Sequence, residues 1–233
     1  MTNRTAILSA KYPQFAESLH QNGYSIIYSE NVSCLIDFEQ EHADLQCLLI
    51  DNTAFVLQRC KSLAESLKSH CNIILCADDI GRDYPKNTAL SATVVGKNVI
   101  CRTDSIDKNV EEYCKRNEYR LINVRQGYAK CACAIVSDNA IITADKGIYR
   151  DLAGTEIEVL LIKEGRVRLD GANHGFVGGA SGYDSVERKL YFCGDIMKHP
   201  DYERIIKFCE TQKTHIVSLT SDELIDIGGI LFC

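Results

Sequence analysis

Residues Ala140–Asp145, with the sequence AIITAD, decide the fold because the same pattern occurs twice more. Ile100–Asp104 (ICRTD) and Leu190–Asp195 (LYFCGD) are also apolar runs that end in aspartate, and the three aspartates are 41 and 50 residues apart. In each case a helical stretch and a further apolar run follow. Self-similarity at a spacing of roughly 20–50 residues is typical of repeat architectures, so we expect repeated strand–helix–strand units.

The pattern extends into the N-terminal half. Leu45–Asp51 is another apolar run that ends in aspartate, and we expect a helix over Thr53–His70 after it. The apolar run Thr5–Ser9 precedes a predicted helix over Pro13–Asn22, because proline suits the first turn of a helix and an Asn-Gly pair is typical of its end. The chain therefore predicts five units.

Most units also have a leading strand. Ala92–Gly96, Ala134–Val136 and Gly179–Gly182 each precede the apolar run of their unit, and the short turns between them contain Gly, Asn or Asp, as hairpins require. The first unit lacks a leading strand, whereas Leu224–Phe232 is a surplus strand after the last unit. We expect it to complete the first unit, which removes exposed sheet edges.

These features predict an α/β fold, a five-fold pseudo-symmetric propeller of β-β-α-β units in which the C-terminal strand closes the N-terminal unit. The alternation of strands and helices in the first half leaves a doubly wound parallel sheet as the alternative. We expect a single domain over residues 1–233, with units at approximately 1–33 plus 224–233, 34–86, 87–128, 129–172 and 173–223.

Composition excludes several classes of function. The net charge is −6 and lysine and arginine do not cluster, which disfavours nucleic-acid binding. The apolar runs are too short to span a membrane, and without an export signal we expect a cytoplasmic protein. The 12 cysteines are typical of buried thiols in such a protein. Cys131 and Cys133 alone do not complete a zinc site, so we expect neither a metal nor a cofactor.

The glycine-rich segment Leu169–Gly182 is the densest functional candidate. Asp170, Asn173 and His174 supply a carboxylate, an amide and an imidazole, and glycines allow the backbone to approach a ligand closely. A tight crossing between two units is the structural alternative.

Other candidates lie at the junctions of the units. Arg125 belongs to a polar connection, and His199 follows Asp195 by four residues. Cys233 ends the chain shortly after two glycines, and its own carboxylate raises the thiol pKa. The alternatives are a solvated connection for Arg125, a helix start for His199, helix N-caps for Asp195 and Asp145, and an incidental last residue for Cys233.

Five β-β-α-β units and a Gly-Gly segment before a C-terminal cysteine resemble the pentein, or α/β-propeller, superfamily. Its guanidino-group-modifying enzymes include arginine deiminase, dimethylarginine dimethylaminohydrolase, agmatine deiminase and the amidinotransferases. The segments Gln126–Cys131 (QGYAKC) and Gly175–Gly182 (GFVGGASG) are similar to a bacterial branch of this superfamily.

The resemblance implies roles for individual residues. Cys233 would attack the guanidinium carbon as a nucleophile, with His174 or His199 as the proton donor and Asp170 as a catalytic carboxylate. The residues implied to bind the substrate are Asp145, Asp195, Asp226, Arg125 and Asn173. The ligand would be a small cationic guanidino compound, and no cofactor is required.

Two hypotheses about function follow from the resemblance. The first is a cysteine-dependent hydrolase or transferase that acts on guanidino compounds. The alternative is a non-catalytic ring that binds a small ligand or a protein partner, as ribosome anti-association factor six uses the same fold. The apolar Leu231 and Phe232 directly before Cys233 differ from the enzymes and favour this alternative.

Overall fold

The computed structural model describes residues 4–233, in which the strands form five three-stranded sheets and one two-stranded sheet. The strands, in chain order, are β1 (Thr5–Leu8), β2 (Ser25–Tyr28), β3 (Cys47–Ile50), β4 (Thr53–Val56), β5 (Asn72–Leu75), β6 (Thr93–Val95), β7 (Asn98–Cys101), β8 (Arg120–Asn123), β9 (Cys133–Ser137), β10 (Ala140–Thr143), β11 (Glu158–Leu161), β12 (Val167–Arg168), β13 (Ser181–Asp184), β14 (Lys189–Phe192), β15 (His215–Ser218), β16 (Leu224–Ile225) and β17 (Leu231–Phe232).

Short helices connect these strands. The α-helices are α1 (Pro13–Gln21), α2 (Ala43–Gln46), α3 (Lys61–Leu67), α4 (Lys108–Arg116), α5 (Ala129–Ala132), α6 (Lys146–Asp151) and α7 (Tyr202–Thr211), and the 3₁₀ turns are Lys86–Thr88 and Ile196–Lys198. No helix among residues 4–233 is long and apolar enough to cross a membrane.

The three-stranded sheets share one strand order. In the sheet of β9, β10 and β11, β9 is antiparallel to β10, and β10 is parallel to β11 across helix α6. The sheets β3-β4-β5, β6-β7-β8 and β13-β14-β15 have the same arrangement. The fifth sheet combines both ends of the chain, because β17 is antiparallel to β1 and β1 is parallel to β2. We call β3, β6, β9, β13 and β17 the inner strands.

The burial pattern explains why these segments become strands. The middle strands β4, β7 and β10 are completely buried and consist largely of β-branched and other apolar residues, as expected for strands covered on both faces. Helix α1 begins at Pro13 and is followed by Asn22 and the left-handed Gly23, as the sequence predicts. It buries Phe15, Ala16 and Leu19 against the sheet.

The predicted helix over Thr53–His70 is wrong in its first part. Thr53–Val56 is strand β4, and the helix is confined to α3. Asp51 adopts a φ of 49°, which turns the chain into a hairpin so that the β-branched and aromatic residues of β4 pair with β3. The run Leu45–Asp51 therefore provides an inner strand and not the strand before a helix.

The predicted surplus strand Leu224–Phe232 is in fact two strands. β16 pairs in parallel with β12, whereas β17 pairs with β1. Gly228 and Gly229 between them have φ values of 77° and 73°, in the left-handed region that favours glycine. The bend carries Asp226 away from both sheets and into the site described below.

The repeated aspartates have different structural roles. Asp145 caps α6 by accepting from the N–H groups of Gly147 and Ile148, and Asp195 accepts from the N–H of Met197. Asp104 is not a cap, because Asp107 occupies that position on α4. The N-cap alternative therefore holds for two of the three aspartates.

Candidate functional site

The segments that lead into four inner strands are joined by backbone hydrogen bonds. The N–H of Asp44, before β3, donates to the carbonyl of Gly228 at 3.1 Å. The N–H of Gly179, before β13, donates to the carbonyl of Cys131 at 2.8 Å, and Gly179 in turn accepts from Gly229 at 2.8 Å. Residues that are far apart in the sequence are thus fixed next to one another.

Five buried polar side chains meet at this junction, and we call them the inner cluster: His42, Asp44, Lys130, Cys131 and Asp226. None is more than 7% exposed. One donor atom each from His42, Cys131 and Asp226 lies within 4.8 Å of the other two. Such a density of buried titratable groups is typical of a functional site.

Hydrogen bonds orient the acidic members of the inner cluster. The Cys131 thiol donates to Asp44 Oδ2 at 2.7 Å, whereas Asp44 Oδ1 is buried without a hydrogen-bond partner among residues 4–233. The carboxylate of Asp226 accepts from the N–H groups of Phe176 and Gly228 at 2.9 and 3.0 Å. The unpartnered oxygen of Asp44 is a ready acceptor for a ligand that carries N–H groups.

Burial dominates the electrostatics of the cluster. It raises the pKa of Asp44 to about 6, against the opposing charges of His42 and Lys130. Burial and the neighbouring carboxylate of Asp44 raise the pKa of the Cys131 thiol well above its ordinary value. The thiol therefore needs a base or a bound cation to ionise at neutral pH.

The donor set of His42, Cys131 and Asp226 also has the geometry to hold a metal ion, since imidazole, thiolate and carboxylate are zinc ligands. In the structure the Cys131 thiol donates to Asp44, and the positive charge of Lys130 acts on Asp44 and Cys131 without direct contact.

His42 connects the inner cluster to a surface pocket of about 720 Å³, which we call the His42 pocket. Asp37, Glu41 and Asp170 line this pocket together with two basic residues, so carboxylates are in excess. The predicted residue Asp170 is exposed and forms an ion pair with Arg168 at 3.1 Å. Of the inner cluster only His42 lines this pocket, and the excess of one carboxylate over lysine and arginine favours small cations.

A second cavity, of about 390 Å³, contains three other predicted residues: Asp145, His174 and His199. Asp145 is occupied by capping α6 and by accepting from Gln126 at 3.0 Å. His199 Nδ1 accepts from the N–H of Asp201, and burial lowers the pKa of this histidine. No cysteine of residues 4–233 lines this cavity, so no thiol nucleophile faces it.

Cys233 lies away from the inner cluster. It is four residues beyond Gly229 and directly follows β17. Its backbone exchanges two hydrogen bonds with Thr5, both 3.0 Å long. Although the residue as a whole is exposed, burial of its thiol, with a smaller contribution from Cys71, raises the thiol pKa to about 12. No carboxylate or histidine is hydrogen-bonded to this thiol in the described part of the chain.

The other predicted binding residues are dispersed. Arg125 and Asn173 are exposed, and the backbone carbonyl of Arg125 accepts from the hydroxyl of Tyr84. Asp195 lies at the 3₁₀ turn before α7. Of the predicted binding carboxylates, the structure brings only Asp226 into the inner cluster.

One family model matches nearly the whole chain. Residues 7–231 match the model of a family described as "Family of unknown function (DUF6873)". The chain belongs to this family. No curated protein matches the sequence.

Solved structures of the pentein superfamily are similar to this DUF6873 protein over nearly its whole length. A mutant of dimethylarginine dimethylaminohydrolase from Pseudomonas aeruginosa, complexed with citrulline, has a TM-score of 0.55 at 8% identity, covering 94% of this chain and 92% of that one. The agmatine deiminase of C. jejuni has a TM-score of 0.54 at 9% identity, with coverages of 93% and 87%. An amidinotransferase of the saxitoxin pathway from Microseira wollei has a TM-score of 0.50 at 9% identity, with coverages of 96% and 93%. The predicted resemblance to penteins is confirmed at the level of the fold.

Sequence reasoning missed most of the inner cluster. His42 and Asp44 belong to no recognised motif. Lys130 and Cys131 lie in the QGYAKC segment that carries the resemblance to penteins, but neither of them is predicted from the sequence to have a role in the site. One signal was available: His42 and Asp44 precede a buried inner strand just as Lys130 and Cys131 do. Comparing equivalent positions of the units would have placed these two pairs together.

Proposed function

We propose that this DUF6873 protein is a cysteine-dependent enzyme acting on guanidino compounds, with the inner cluster as its active site and Cys131 as its nucleophile. The observation that carries the proposal is the convergence of Cys131, His42 and Asp226 within 4.8 Å beside the acidic His42 pocket. Thiol, imidazole and carboxylates are the groups that such chemistry requires. The similar solved structures include enzymes of this class.

The proposal includes the finer architecture, a closed ring of five β-β-α-β units. Two observations support it. Residues of all five inner strands line one common cavity, and the strands at the two ends of the chain pair with each other. In a ring of this kind the segments before the inner strands would meet near the axis, and the inner cluster, which such segments form, would lie there.

The cluster suits a planar cation with several N–H donors. The guanidinium group would enter through the His42 pocket and donate to the unpartnered Asp44 Oδ1 and to a carboxylate oxygen of Asp226. Both carboxylates are buried, so the hydrogen bonds to a cation are stronger than they would be in water.

The reaction begins at the existing hydrogen bond between Cys131 and Asp44. Asp44 accepts the thiol proton, and its raised pKa makes it a stronger base than an ordinary aspartate. The sulfur attacks the guanidinium carbon, the C–N bond breaks, and the departing amine takes a proton from the imidazolium form of His42. Water then attacks the amidino-thioether carbon and returns a proton to His42. The C–S bond breaks and the thiolate recovers its proton from Asp44.

A guanidinium-like alkylating agent tests this assignment. Incubation with 2-chloroacetamidine forms a C–S bond with loss of chloride, and peptide mass spectrometry identifies the cysteine that reacts. We expect rapid single-site labelling at Cys131, slowed by arginine or agmatine. Cys131→Ser should remove the labelling, and Cys233→Ser, the matched control at the other candidate thiol, should preserve it.

The opposite outcomes are equally clear. If Cys233 is labelled, and is still labelled in Cys131→Ser, the nucleophile is Cys233 and not Cys131. Labelling spread over several cysteines, no faster than that of a free thiol, would favour the alternative of a non-catalytic ring that binds a ligand or a protein partner.

A further inference from the structure

A cavity of about 410 Å³ runs along the inner strands, and we call it the inner-strand cavity. Leu49, Val94, Ile135, Tyr183 and Phe232 each lie on a different inner strand, line this cavity and are half-buried. The strand residues on either side of Leu49, Val94, Ile135 and Tyr183 are fully buried, as expected because side chains alternate between the two faces of a strand. The cavity therefore has a belt of five apolar or aromatic side chains.

Lys130 lies at one end of this cavity, just before β9. The residue lines the cavity although it is only 7% exposed, and its Nζ lies beside Gly229. Among residues 4–233, no carboxylate lies within 4 Å of this ammonium and no hydrogen bond from it is found. Its charge acts on Asp44 and Cys131 only from a longer distance. The Lys130 ammonium thus reaches a largely apolar cavity without a direct partner, and a bound anion would supply that partner.

The opposite end of the cavity is formed by the turns that follow the inner strands. Asp51, Asp138 and Ser185 line it there and are exposed. Asp51 is held by the hydroxyl of Tyr119 at 2.5 Å and by Lys97 at 3.8 Å. The inner-strand cavity is thus polar at the exposed turns, apolar along the strands and cationic beside Lys130.

We infer that the inner-strand cavity binds a small organic carboxylate with an apolar body. The carboxylate pairs with Lys130 Nζ, and the apolar body packs against the belt of the inner strands. A pocket with apolar walls and one convergent charge is typical of sites for such ligands. Phosphate compounds fit less well, because they require several donors and Lys130 is the only basic residue of the described chain that lines the cavity. Lys130 also belongs to the inner cluster, but this inference does not rest on the proposed function, because it uses the Lys130 ammonium and the inner-strand cavity, whereas the guanidino chemistry uses Cys131, Asp44 and the His42 pocket.

Isothermal titration calorimetry with octanoate tests the inference, with octylammonium and octanol as charge controls. We expect saturable binding of one octanoate per chain and at least tenfold weaker binding of both controls. Lys130→Met retains the length of the side chain without its charge and should weaken octanoate binding at least tenfold. Equal binding of octanoate and octylammonium, or unchanged binding to a folded Lys130→Met, would overturn the inference.

A second pair of variants tests the cavity if Lys130→Met does not fold. Val94→Phe narrows the cavity at the belt and should weaken octanoate binding. Leu75→Phe is the matched control: Leu75 lies on strand β5, is 46% exposed and does not line the cavity, so this variant should bind octanoate as the wild type does. Equal octanoate affinities of these two variants would place the ligand elsewhere and contradict the inference. Cys131→Ser should still bind octanoate, so that failure of the proposed enzyme activity and failure of this inference are distinguishable.

Discussion

At the scale of single residues, what distinguishes Cys131 from Cys233 is the surroundings of the thiol. Burial raises the pKa of both thiols. Only Cys131 has a carboxylate in hydrogen-bond contact and a histidine close by. A high thiol pKa is compatible with catalysis when a base accepts the proton as the nucleophile attacks. Asp44 is that base in our proposal, and its own protonation is therefore the property to measure.

We predict that Asp44→Asn changes the pH dependence of stability. The pKa of Asp44 is raised to about 6 in the folded protein, from about 3.9 when unfolded, so folding favours the protonated carboxyl. Its contribution is fully present below about pH 4 and is lost as the pH rises through 6. The free energy of unfolding of Asp44→Asn, relative to wild type, should rise by about 2 kcal/mol between pH 4 and pH 7.

Urea unfolding at both pH values measures this difference. Asp222→Asn, at an exposed aspartate, is the control and should differ from wild type by less than about 0.5 kcal/mol at either pH. A pH-independent difference between Asp44→Asn and wild type would show that the carboxyl is not protonated by burial.

At the scale of elements, the turn before β13 and the bend before β17 are packed against each other without spare space. A Cβ on Gly179 would fall on the carboxylate of Asp226, and Gly179 itself hydrogen-bonds to the segments of Cys131 and Gly229. This packing supports the structural alternative, a tight crossing, for the part of the glycine-rich run around Gly179. Its contribution to the site is to let Asp226 approach Cys131.

We predict that Gly179→Ala destabilises the fold by about 1–3 kcal/mol, because the added methyl group overpacks a rigid junction. It should also slow alkylation of Cys131 by displacing Asp226. Gly154→Ala is the control: Gly154 has a φ of 84° but no atom within 4 Å of an added Cβ. It should cost about 1 kcal/mol through backbone strain and leave alkylation unchanged. Equal alkylation rates in the two variants would contradict the role given to Gly179.

The sequence predicts the elements far better than the site. Periodicity and turn residues locate strands such as Ala140–Thr143 and the helix that starts at Pro13 because these signals are local. Cys131 lies about 90 residues after His42, and Asp226 lies about 90 residues after Cys131. Only long-range backbone pairing brings the three together. The hairpin at Asp51 was missed for a related reason: the apolar run Thr53–Val56 followed by Lys61–Leu67 has no break strong enough to separate a strand from a helix.

At the scale of the whole molecule, the sheet that contains both ends of the chain differs from the others in one respect. In four sheets a turn connects the inner strand to the middle strand, whereas in this sheet β17 and β1 are separate ends held by pairing. Phe232 strengthens the contact by packing on Tyr24 and Tyr191, with ring centroids 5.0 and 5.4 Å apart. If the units are equivalent, the pairing of β17 with β1 takes the place of one hairpin.

If the five units form a closed ring, the position of that cut should matter little. We predict that a circular permutant which joins Cys233 to Met1 by a short linker and opens at Val186 folds to a similar stability. Val186 is 85% exposed, in the turn between β13 and β14, so the cut reproduces the natural arrangement in another sheet.

A permutant opened between Ile141 and Ile142, in the buried strand β10, is the control and should not fold. Circular dichroism and urea unfolding measure the outcome. Failure of the Val186 permutant to fold would contradict the equivalence of the units, because it would show that the N-terminal sheet alone tolerates an open hairpin.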